Sequence, residues 1–160
     1  MEFAIKWYQR LIRFGLIISP IVLLIVRLTW GWELFESGRG HLEHLDTTTK
    51  FFRSLNIPMP HINAIIAGTT EAVGGILIMS GFLTRLVSIP VLFNFCVAYA
   101  TDAPGTVKHV FSDPDKVIDY AAFPFLILSL LMLAFGPGVI SLDGLLKHTV
   151  FRKRKPPQLT

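Results

Sequence analysis

Apolar residues gather into four stretches, near 14–35, 62–82, 85–101 and 118–136, and most of the charge sits between and outside them. About 20 apolar residues are needed to cross a bilayer core at a rise of about 1.5 Å per residue, so each stretch reads as a membrane span. The first begins GLIISPIVLLIV and continues through Arg27 into LTWGWELF; the third, LVSIPVLFNFCVAYA, is short; the fourth contains YAAFPFLILSLLMLAF. Pro20, Pro90 and Pro124 interrupt three of them, which membrane helices accommodate when neighbours satisfy the freed carbonyl. The pattern predicts an all-α integral membrane four-helix bundle.

Composition points the same way. Hydrophobic residues make up 52% of the 160 and charged residues 16%, with a mean hydropathy of +0.56, which departs from a soluble domain toward one dissolved in lipid. Four spans with short connections use nearly the whole chain. A single domain over 1–160 is expected, with a basic tail at 147–160 and no room for a separate soluble catalytic domain. Lys6, Arg10 and Arg13 ahead of an apolar run resemble the start of a signal peptide. However, Trp30, Trp32, Glu33 and Phe35 follow where small cleavage-site residues belong, so the run is retained as a span. No lipidation signal is visible. The lone Cys96 leaves no internal disulfide, four-cysteine iron–sulfur site or C-x-x-C pair.

Basic residues predict the orientation. Lys6, Arg10, Arg13, Arg85, Lys147 and the run at 152–155 place nine on one side; Arg39, Lys50, Arg53, Lys108 and Lys116 place five on the other. The positive-inside rule then puts both termini in the cytoplasm, with a short cytoplasmic surface helix near the C-terminus. The terminal FRKRK fits an orientation anchor better than a lipid or nucleic-acid site.

Against this background Glu71 is the most informative residue. An ionisable group in a span costs about 2.5–3.5 kcal/mol on insertion scales and normally has a partner and a role. If the first span exits near Phe35, the second enters near Ile62 and the third exits near Thr101, then Arg27, Glu71 and Asn94 lie about 12, 14 and 10 Å below those outer ends, so the three are expected to meet. Glu33, six residues past Arg27, falls on another face of the helix. Ala64, Ala67, Gly68, Gly74 and Gly75 share the face of Glu71 and would let a neighbouring helix approach closely. Two readings fit: a buried Arg27–Glu71 ion pair that fixes helix register, or a pocket for a quinone, a substrate or a proton.

These residues resemble a known family. IVRLTWGW, FFRSLNIPMP, TTEAVGGILIMSGFLTRL and FGPGVISLDGLL, spread between Ile25 and Leu146, are similar to the DoxX family of four-helix membrane proteins. The resemblance implies a role in respiratory or redox membrane complexes; namesake members are subunits of a thiosulfate:quinone oxidoreductase. It implies that Arg27 and Glu71 occupy the family's polar positions in the first two spans. ESGRGHLEHL and the long loop 101–119 depart from the family pattern.

Other chemistry is sparser. His41, Glu43 and His44, with His61 and His109 on the same side, are weak candidate metal ligands, the spacing of His41 and His44 placing both on one side of a helix. Haem is not expected, since no His lies inside a span and C-x-x-C-H is absent. Trp30, Trp32, Tyr99 and Tyr120 suit an aromatic belt at the outer boundary, with Trp30, Tyr99 and Tyr120 as candidate quinone-stacking residues. SLNIPMPHIN predicts a turn into the second span, and FGPGVISLDG a break followed by a helix capped by Ser141, which the resemblance offers as a docking surface for a soluble partner. Two functions follow. One is a membrane subunit of a quinone-linked oxidoreductase complex, its electrons supplied by a partner protein. The other is a non-catalytic scaffold or small-solute carrier, although no internal repeat supports a transporter.

Overall fold

The structure is a computed structural model that describes residues 2–105 and 115–150; His109 and the basic run at 152–155 lie outside the described residues. All its regular elements are helical: α1 (Glu2–Glu43), α2 (Leu45–Ser54), α3 (Pro60–Ser80), α4 (Thr84–Thr101), α5 (Asp115–Ile118), α6 (Phe123–Phe135) and α7 (Leu142–Val150). By length and hydropathy α1, α3 and α4 can each cross a membrane. The molecule is an all-α membrane protein.

The fourth stretch differs from the expected span. Helix α6 has 13 residues, a length of about 20 Å, because the backbone turns at 119–122 and starts the helix only at Phe123. Pro124 therefore does not interrupt a helix. It sits in the first turn, where its missing N–H has no intrahelical acceptor to serve. Pro20 and Pro90 do lie inside α1 and α4.

Packing follows the small residues. On α1 the buried positions are Arg27, Gly31, Leu34 and Gly38, a seven-residue repeat that keeps one stripe against a neighbour. On α3 they are Ala64, Ala67, Gly68, Glu71, Gly74, Gly75 and Ile78. The two helices run antiparallel with their glycines opposed. A Cβ on Gly75 would stand 2.6 Å from the Gly31 carbonyl oxygen, and one on Gly38 would stand 2.6 Å from that of Gly68. Backbones this close gain dispersion contacts that lipid cannot match, which is how helices associate where no hydrophobic effect separates them from solvent.

Helix α4 buries Thr84, Ser88, Val91, Phe95 and Tyr99 along its own stripe and packs on α6 through stacked Phe95 and Phe125 rings, 5.1 Å apart. Leu34, Ile78, Val91, Leu128 and Met132 from four helices close the core. The turn from α3 to α4 is compact: Gly81 adopts φ +69°, its N–H bonds to Ile78 O, and Phe82 N–H bonds to Leu77 O, the paired closure of a helix C-terminus that a left-handed residue allows.

Candidate functional site

Arg27 and Glu71 do not meet. Helix α1 continues to Glu43 instead of ending at Phe35, and the glycine register sets Gly31 against Gly75 and Gly38 against Gly68. That places Glu71 beside Ser37, ten residues and about 15 Å along α1 from Arg27. The expected shared depth rested on counting from the wrong end point. Glu33 lies exposed on another face of α1.

Arg27 is 1% exposed, and its guanidinium serves backbone. It donates to Pro137 O, to Ile140 O at 3.0 Å and to Met79 O at 3.4 Å, joining α1 to the end of α3 and to the segment that follows α6. Five fixed N–H groups and a planar head suit convergent carbonyls in a way an ammonium does not. Asp143 completes the junction: its carboxylate accepts from Leu83 N at 3.0 Å and Thr84 N at 3.2 Å, capping α4, while its own N–H bonds to Gly81 O. Ser141 accepts from Gly144 N at 3.0 Å and so caps α7 as expected. Asp143→Ala should cost about 1 kcal/mol, the usual value of a lost N-terminal cap, read as a lower thermal midpoint in detergent.

Glu71, 4% exposed, has its own polar shell. One oxygen accepts from Asn94 Nδ2 at 2.8 Å; the other accepts from Ser37 Oγ at 2.8 Å and lies 3.6 Å from His41 Nε2. Asn94 was legible as a partner, whereas Ser37 was not, because a serine in a membrane helix carries no signal until the register is known. His41 therefore stands beside Glu71. Glu43 pairs with Arg39 at 3.4 Å, His44 ends exposed at the break between α1 and α2, and His61 lies 3.3 Å from Thr49 Oγ1. No group of three metal-ligating side chains forms among the described residues.

The carboxylate looks into a cavity of about 650 Å3 between α1, α2, α3, α4 and the start of α6. Phe51 and Phe52 of α2, Phe93 of α4 and Phe125 of α6 wall it, and Asn94 and His41 join Glu71 on its polar side. Helix α2 can lie over this end because its polar face folds back: Thr48 Oγ1 donates to His41 O and His44 O, both at 3.2 Å. Few polar groups converging in an apolar hollow is the usual build of a small-molecule site.

Of the aromatic candidates, only Tyr120 lines this cavity. Its hydroxyl donates to Asp102 Oδ2 at 2.7 Å, and its ring meets Tyr99 edge-on at 4.7 Å. Tyr99 is buried and donates to Val117 O at 2.9 Å, so it anchors α5. Trp30 packs against the core, away from the cavity, and Trp32 contacts Phe35.

No solved structure matches the chain. Among known sequences, the inner membrane protein YphA of Escherichia coli is 32% identical over 131 residues, covering 78% of this chain and 89% of YphA. An uncharacterized protein of Haemophilus influenzae is 26% identical over 133 residues, covering 81% of this chain and 85% of its own length. The DoxX family model matches residues 22–102, which contain Arg27, Ser37, His41, Glu71 and Asn94 and stop short of the GPGVISLD segment. With a family match over half the chain and a relative covered nearly end to end, this membrane protein belongs to the DoxX family.

Proposed function

We propose that this protein is the membrane subunit of a quinone-linked oxidoreductase complex in a bacterial inner membrane, and that the Glu71 cavity takes the quinone headgroup. The observation that carries the reading is a buried carboxylate, bonded to Asn94 and Ser37 and close to His41, on the wall of a mostly apolar cavity of about 650 Å3. A quinone carbonyl needs a donor, which the Asn94 amide and the His41 ring supply; a quinol hydroxyl needs an acceptor, which Glu71 supplies. Reduction of a quinone takes two electrons and two protons. The electrons come from the redox centre of a partner protein, and Glu71 and His41 stand where protons can be handed to the ring oxygens.

Both termini face the cytoplasm in this reading, supported by the nine basic residues on that side against five on the other. The inner-membrane description of the E. coli relative supports the location.

Glu71→Gln tests the site. Glutamine keeps the shape and one carbonyl acceptor for Asn94, and the Ser37 hydroxyl can rotate to accept from the new amide, so the bundle should hold. Binding of a short-chain quinone, followed by tryptophan quenching in detergent, should weaken about tenfold, equal to about 1.4 kcal/mol. Unchanged affinity with an intact fold would remove the quinone site. One observation favours a second reading, a non-catalytic scaffold: both Glu71 oxygens already have donors within the protein. In that case Glu71→Gln lowers the thermal midpoint, and quinone binds neither variant.

A further inference from the structure

We propose a second binding site, for an anionic phospholipid, at the Arg27 end of the bundle. It does not depend on the quinone reading. A cavity of about 1080 Å3 opens where the start of α4, the end of α6 and the start of α7 converge. Two cations, Arg85 and Lys147, line it beside Leu86, Phe135 and Val139. Those three apolar side chains are 64%, 68% and 67% exposed, at a level where α3 and α6 end and α4 begins. Basic groups set between helix ends, with bare hydrocarbon next to them, match a phosphate headgroup and its acyl chains.

The carboxylate that also faces this cavity, Asp143, is committed elsewhere. Its two oxygens accept from the Leu83 and Thr84 amides, and Arg27 offsets its charge. It does not cancel the field of the two cations. Arg85 is held in place by donating to Ala134 O at 3.2 Å. Gly136, at φ +73°, leaves the guanidinium room, since a Cβ there would lie 3.1 Å from Arg85 Nε. An arginine steadied at one nitrogen presents its remaining donors in a fixed direction, the geometry that suits a phosphate. The apolar walls set a phospholipid apart from free phosphate, which would gain nothing from Leu86, Phe135 and Val139.

The test uses the full chain in a neutral detergent, with phosphatidylglycerol and phosphatidylcholine of matched acyl chains as probes. Bound lipid is counted by native mass spectrometry, and stabilisation is read from thermal unfolding. At about fivefold per basic residue, phosphatidylglycerol should be retained about 30-fold better, and Arg85→Gln with Lys147→Gln should remove the preference. Lys147→Gln alone, which leaves the Arg85–Ala134 bond intact, should remove about fivefold. It decides the matter should the double variant fail to fold. Equal retention of the two lipids by the unaltered protein, an undiminished preference in Lys147→Gln, or the same stabilisation by inorganic phosphate without lipid would each overturn the site.

Discussion

Gly38→Leu is expected to prevent α1 and α3 from docking. A Cβ at position 38 would overlap the Ala72 amide nitrogen and stand 2.6 Å from Gly68 O and 2.8 Å from Glu71 Cβ. These are backbone atoms and the root of a buried side chain, so no rotamer change relieves the overlap and the helices must separate. Overpacking a tight core costs about 1–3 kcal/mol or more, and here it also parts Ser37 from Glu71 and opens the cavity wall. The variant should elute as aggregate from size exclusion in detergent or lose its cooperative melting transition. Gly40→Ala is the control: a Cβ there meets nothing within 4 Å, and alanine favours a helix by up to about 1 kcal/mol over glycine. Equal damage from both would mean that close approach of the two backbones does not govern this pair.

Arg27→Ala should have the second largest effect. The guanidinium reaches the carbonyls of Pro137, Ile140 and Met79 inside the protein. Leaving buried acceptors without donors costs about 1–3 kcal/mol each, partly offset as the segment after α6 lifts away to find water. A net loss of about 2–4 kcal/mol is expected, with faster proteolysis at 136–141 as its local signature. Arg27→Lys should recover only part, because one ammonium cannot span three separated carbonyls. If Arg27→Ala instead left the melting point intact and weakened quinone binding, Arg27 would belong to the ligand site after all.

Much of the fold was legible in the chain, and the reasons are local. Apolar length placed α3 and α4 within two residues of where they lie, and Ser141 and the glycines after α6 marked the start of α7. The small residues around Glu71 do admit a neighbouring helix. What failed was register. Depth was counted from an assumed exit at Phe35, whereas α1 keeps its helix for eight further residues through polar ESGRGHLE. The signal that could have corrected it was present: Gly31 and Gly38 on one helix and Gly68 and Gly75 on the other share a seven-residue spacing, and opposing them in antiparallel fashion sets Ser37 beside Glu71. The partners of Arg27 were beyond reach for another reason. They are main-chain carbonyls, which every residue carries, so no side-chain pattern announces them. The fourth stretch was overlong because residues 119–122 read as helix when they form a turn.

The junction at Arg27 also has a consequence for biogenesis. Two of its three acceptors lie 110 and 113 residues downstream, and synthesis at about 5–20 residues per second delivers them on the order of ten seconds later. During that interval the first hydrophobic segment carries a cation whose eventual neighbours do not yet exist. It must idle near the lipid headgroups or in the company of the insertion machinery, and the last helices to emerge release it into place. The first span is thus completed by a segment made more than a hundred residues after it.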